Sequence, residues 1–63
     1  MFTINRIINV FDDQAEMEIK GVSGVEKPTE LGGFTVAVNS WCLEQDTGDF
    51  YYFDGSDWNK VGA

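Results

Sequence analysis

Ser40-Trp41-Cys42-Leu43-Glu44, Phe50-Tyr51-Tyr52-Phe53 and Trp58-Asn59-Lys60-Val61 are apolar-rich runs separated by Asp46-Thr47-Gly48-Asp49 and Asp54-Gly55-Ser56-Asp57. Asp and Gly make turns for separate reasons: Asp bonds nearby backbone, and Gly adopts positive φ at no steric cost. Short β-rich runs joined by such turns read as a meander of antiparallel strands. Neither Asp-rich segment has acids at alternate positions around a central glycine, as a calcium loop would, so turn chemistry accounts for both. The middle run is the most informative. Successive side chains of a strand point to opposite faces, so Phe50 and Tyr52 share one face and Tyr51 and Phe53 the other. A strand with bulky rings on both faces cannot rest on a core with its back to water. Its second face needs either an intramolecular cover or another chain.

Working upstream, Phe34-Thr35-Val36-Ala37-Val38 reads as a further strand. The segment Gly21 to Gly33 contains Gly21, Gly24, Pro28, Gly32 and Gly33, a density that marks irregular chain. It also carries Val22, Val25 and Leu31, too apolar for a free linker, and is expected to pack down across the sheet. Phe2, Ile4, Ile8 and Val10 alternate with Thr3, Asn5 and Asn9, broken at Arg6-Ile7. Ala15, Met17 and Ile19 alternate with Glu16, Glu18 and Lys20. Period-two alternation predicts two strands, each with one buried face, joined across Asp12-Asp13-Gln14 as a hairpin. A short helix over 13–20 is the rival reading, since Ala, Glu, Met and Lys favour helix; the alternation favours the strand. The expected fold is therefore all-β, one domain over residues 1–63. It is a small antiparallel sheet or barrel-like β-sandwich of about five to six short strands, an N-terminal hairpin plus a C-terminal meander.

A chain of 63 residues buries only roughly 60% of the surface it exposes when unfolded, so its stability margin is thin. Disulfides and metals are the usual compensation. Cys42 is the only cysteine and there is no histidine, so neither an internal disulfide nor a zinc site is expected. That leaves packing and association. Five Phe, two Tyr and two Trp supply the apolar mass for both. Trp58, just after a tight turn, is expected in the core beside Phe50 or Tyr52. Trp41, Tyr51 and Phe53 are the candidate protein-interface residues.

Eleven Asp and Glu against four Lys and Arg give a net charge of −7. Such a surface repels phosphate, which argues against nucleic-acid partners. It favours solubility, docking to a basic partner, or mimicry of DNA. No run approaches the roughly 18 apolar residues of a membrane span. The first residues show no basic stretch leading into an apolar block, so no secretory signal is expected and synthesis in a reducing cytoplasm is. Without histidine, general-base work would fall to carboxylates or lysines, and a carboxylate pair needs a substrate cleft that so small a domain scarcely has room for. Cys42, mid-strand with no histidine to activate it, reads as a small buried hydrophobe. The sequence predicts no enzyme, no catalytic residue, no cofactor and no small-molecule substrate.

The pattern Ser40-x-Cys42-x-Glu44-x-Asp46-Thr47-Gly48-Asp49-x-Tyr51-x-Phe53-Asp54-x-x-x-Trp58-x-Lys60-Val61-Gly62 resembles a module of small phage and prophage structural proteins of Gram-positive bacteria. There it occurs in head-fibre, tail-fibre and decoration-type components. Glu26-Lys27-Pro28-Thr29-Glu30-Leu31-Gly32-Gly33-Phe34 resembles the segment that leads into it. The resemblance implies a capsid decoration or head/tail accessory protein, made in the host cytoplasm and located in the virion. Its implied partners are capsid or other virion proteins, or copies of itself as a homo-oligomer. It brings no catalytic residue, and residues 1–22 have no counterpart in it. The competing expectation is a phage-encoded inhibitor of a host factor, of anti-defence or DNA-mimic type, which small size and acidity suit equally.

Overall fold

The computed structural model describes residues 2–62 and runs through seven strands. In chain order they are β1 (Thr3–Phe11), β2 (Gln14–Gly21), β3 (Glu30–Leu31), β4 (Phe34–Val36), β5 (Trp41–Glu44), β6 (Phe50–Phe53) and β7 (Trp58–Lys60). The protein is all-β, with no helix among the described residues. Residues 13–20, open between strand and helix, fall mostly within β2. Ala15, Met17, Ile19 and Gly21 are buried while Glu16, Glu18 and Lys20 are only partly covered, the one-face burial that alternation demands.

One sheet contains all seven strands, and β2 is its hub. On one side β2 pairs antiparallel with β1; on the other it pairs parallel with β4 near its start and with β5 near its end. The sheet is thus mixed rather than purely antiparallel. The cause is the connection after β2. A tight turn would have sent the chain back antiparallel, whereas a long crossover lets it restart at the same end. Residues 22–33 make that crossover, so that Thr35 of β4 lies level with Gln14. The meander follows as expected, β5 antiparallel to β6 and β6 to β7. The segment expected to be wholly irregular also holds β3, which pairs with β4. Gly32 and Gly33, at φ 64° and 87°, join the two through the pair of left-handed positions that a two-residue hairpin turn requires.

Two departures from regular pairing shape the sheet. In β1, register shifts fall between Ile4 and Arg6 and between Ile7 and Asn9. Ile4, Ile7 and Val10 consequently stand opposite Ile19, Met17 and Ala15. A period of three on β1 is matched to a period of two on β2 by bulged residues, each of which sharpens the local twist. Ile7, rather than Ile8, takes the core-side position. The second departure lies between β4 and β5. From Ala15↔Val36 to Glu18↔Trp41, the second chain spends two residues more than β2 does, with Asn39 in the left-handed region at φ 73°. Buried Ser40 repairs the ladder: its Oγ accepts the Met17 N–H at 3.1 Å and donates to the Ala37 carbonyl at 2.8 Å. A buried backbone N–H left unpaired would cost about 1–3 kcal/mol.

The core consists of Ala15, Met17, Ile19, Val36, Cys42 and Phe53, with Phe2, Ile4, Leu31, Phe34, Tyr51 and Trp58 packed around it. Trp58 does not stand beside Phe50 or Tyr52. It pairs across the turn with Phe53, ring centroids 5.1 Å apart, because the two residues flanking a hairpin turn share a face. Burial pushes the Cys42 thiol up, with Lys27 opposing and Glu44 adding to the shift, consistent with a structural, unreactive cysteine.

Candidate protein interface

Residues 22–29 close the core face of the meander. Lys27 carries its ammonium 3.8 Å from the Tyr51 ring centre and 2.7 Å from the Glu44 carboxylate, and both side chains of this ion pair are almost fully buried. The Thr47 hydroxyl donates to the other Glu44 oxygen at 2.9 Å. The Trp58 indole N–H donates to the Pro28 carbonyl at 2.9 Å. At the loop's start, Ser23 gives its backbone N–H and its hydroxyl to the two carboxylate oxygens of Asp46. These bonds hold the Asp46 carboxyl below the usual carboxylate range. Asp46 therefore tethers the cover, whereas Asp54 fulfils the expected turn role. It accepts the Asp57 and Ser56 backbone N–H groups and the Asn59 amide, which lower its pKa to about 2.

Among the described residues nothing comparable covers the opposite face. Trp41 stands directly across from Tyr52, and Leu43 from Phe50. Trp41 meets Phe50 diagonally, edge to face, at 6.3 Å and 80°. Trp41, Phe50 and Tyr52 are 41%, 48% and 41% exposed. Val61, whose N–H bonds the Phe50 carbonyl, is exposed beside them. Toward β2 the patch is bounded by Glu18 and Lys20, opposite Trp41 and Leu43, and Glu18 pairs with Arg6 at 2.6 Å. This is an apolar centre with a charged margin, the anatomy of a protein-docking surface. Contiguous exposed aromatics of this kind are uncommon on a protein without a partner.

The three residues singled out from the sequence have different fates. Trp41 lies in the exposed patch. Tyr51 is half-buried beneath Lys27. Phe53, 3% exposed, belongs to the core and has no surface to offer a partner. The places of Tyr51 and Phe53 on the patch are taken by Phe50 and Tyr52, their neighbours in sequence. Alternation gave the two faces correctly; which face the cover takes depends on the Lys27–Glu44–Tyr51 cluster, which no sequence periodicity reveals. A scan of protein-family models, a search of curated proteins and a search of solved structures each found no match to this chain.

Proposed function

We propose that this protein is a non-enzymatic phage virion component, a capsid decoration or head/tail accessory protein that docks on other structural proteins through Trp41, Phe50 and Tyr52. The observation that carries the docking reading is the unequal treatment of β6. On one aromatic face Phe53 is buried and Tyr51 lies beneath Lys27, and the other face is presented to solvent. Aromatic side chains are the commonest anchors of protein interfaces. The assignment to a virion rests on the sequence resemblance over residues 26–62. Its test is purification of virions from a producing culture, followed by immunodetection of the protein in the particle band. A protein found only in the lysate supernatant would refute it.

The surplus of acids, −7 in net charge, favours one second reading, an inhibitor that occupies a basic groove of a host protein. Salt separates the two. Docking through an apolar patch persists as ions are added, while charge-steered binding weakens as they screen it.

A further inference from the structure

β1 is the longest strand, nine residues, and among the described residues only its β2 side is paired. The other free edges of the sheet are short: β3 has two residues and β7 three. Proteins ordinarily blunt long edges with charge, proline or brevity. β1 has no proline, its one charge is Arg6, and Ile7, Ile8, Val10 and Phe11 are all exposed along it. Arg6 and the two bulges are the protective devices along its described residues.

The distribution of charge indicates what pairs there. All eleven acids lie from Asp12 onward, so residues 1–11 of this −7 chain contain none. β1 is the longest edge along which two copies can approach without facing carboxylates.

The order of residues in β1 adds a second argument. A symmetric pair requires that the edge complement itself under a two-fold axis. With the axis at Ile7, the midpoint of Thr3–Phe11, Ile7 faces the partner's Ile7 and Ile4 faces the partner's Val10. Asn5 then faces the partner's Asn9. The bulges have put Ile4, Ile7 and Val10 together on the core-side face, and this register maps that set onto itself. Thr3 and Phe11, opposite Lys20 and Gln14 on the outer face, likewise map onto each other. The extra residues of the two bulges, Asn5 and Ile8, face the partner's Asn9 and the partner's Arg6 in this register.

We infer that β1 is a homodimerisation edge: two copies join antiparallel strand to strand about a two-fold axis at Ile7. The two β2-centred sheets become one continuous sheet, with an apolar row of Ile4, Ile7 and Val10 crossing the junction and the Trp41 patches left free. This inference is independent of the virion proposal, since it concerns a different surface and is read on the isolated protein.

The test is light scattering after size exclusion, from about 1 μM to about 1 mM protein, with engineered cysteines reporting the register. A species of twice the 7.1 kDa chain mass should appear as concentration rises. It should tighten with added salt, because screening reduces the long-range repulsion of two −7 chains. Ile7→Cys should form an intermolecular disulfide under mild oxidation, since residues facing across a strand pair lie within disulfide reach. Thr3→Cys, facing the partner's Phe11, should not, and buried Cys42 gives little background. Ile8→Lys, at an exposed position beside the axis, should weaken the dimer about ten-fold or more while retaining the wild-type dichroism spectrum. A single 7.1 kDa species throughout, equal cross-linking of the two cysteine variants, or a dimer dissolved by Trp41→Ala but not by Ile8→Lys would each overturn the inference.

Discussion

Tyr51 and Phe53 point from β6 into the space closed by residues 22–29, whereas Phe50 and Tyr52, their neighbours in sequence, point from the same strand into solvent beside Trp41. The four rings have nearly the same hydrophobic content, so hydrophobicity did not choose between the faces. Polar chemistry did. The cover is fastened by the Lys27–Glu44 pair, by Ser23 on Asp46 and by the Pro28 carbonyl on Trp58, and each fastener has its receptor on the core side or rim of the meander. The buried rings and the exposed rings thereby lie on opposite sides of one strand, and the two can be altered separately.

The largest effects should fall on the covered side. Phe53→Ala removes a buried ring and should cost about 3–5 kcal/mol, much of the stability of a domain this small. Tyr52→Ala on the bare side loses only cross-strand contact with Trp41 and should cost less than about 1 kcal/mol. Urea unfolding monitored by tryptophan fluorescence checks both. Equal losses would dissolve the distinction between the faces.

Next comes the fastening. Glu44→Ala leaves the Lys27 ammonium nearly buried without its counter-ion and should cost about 3 kcal/mol, in the range for breaking one side of a buried pair. Replacing both groups by apolar residues, Lys27→Met with Glu44→Leu, should recover most of that, because the desolvation of two charges disappears with their attraction. A double replacement as unstable as the single one would mean that the ion pair contributes more than it costs to bury.

Ser40→Ala should cost about 1–3 kcal/mol despite removing a single oxygen, since the Met17 N–H loses its acceptor. Recovery with Ser40→Thr, if the methyl fits, would assign the effect to the hydroxyl. A cost near zero would show that the N–H finds another partner.

The all-β class, the hairpin, the meander and the two faces of β6 were legible because they follow from periodicity and turn composition, which are local. What the sequence concealed is non-local or irregular. Two bulges exchange Ile8 for Ile7 on the core side of β1, and a bulge has no distinctive composition here. The parallel pairing of β2 with β4 and β5 depends on where a long crossover delivers the chain. Ser40 reads as an ordinary polar residue before a strand until Met17 is found above it. The position of Trp58 was within reach: residues flanking a hairpin turn share a face, which points to Phe53 rather than Phe50 or Tyr52. Of the three candidate interface residues, Trp41 lies on the exposed face. Phe53 was misplaced because alternation distinguishes two faces without saying which is inside.

The smallest effect belongs to acid pH. The Asp57, Ser56 and Asn59 donors lower the Asp54 carboxyl from 3.8 to about 2, so the fold favours its ionised form. That contribution is complete above the unfolded value and is lost as pH falls from 3.8 toward about 2. Asp54→Asn should lower the melting temperature at neutral pH, where the ionised carboxylate contributes in full, and flatten the decline across this window so that variant and wild type converge in acid. An identical decline in wild type and variant would assign acid sensitivity to other carboxylates.

The measurement that bears most directly on the division of β6 is virion loading of a Trp41→Ser, Tyr52→Ser protein, compared with wild type at matched concentration in high salt. With sheet dichroism retained, the account predicts that the variant remains in the supernatant while the wild type sediments with particles. A folded variant that loads as well as wild type would contradict it, and the exposed face of the meander would then not be the docking surface.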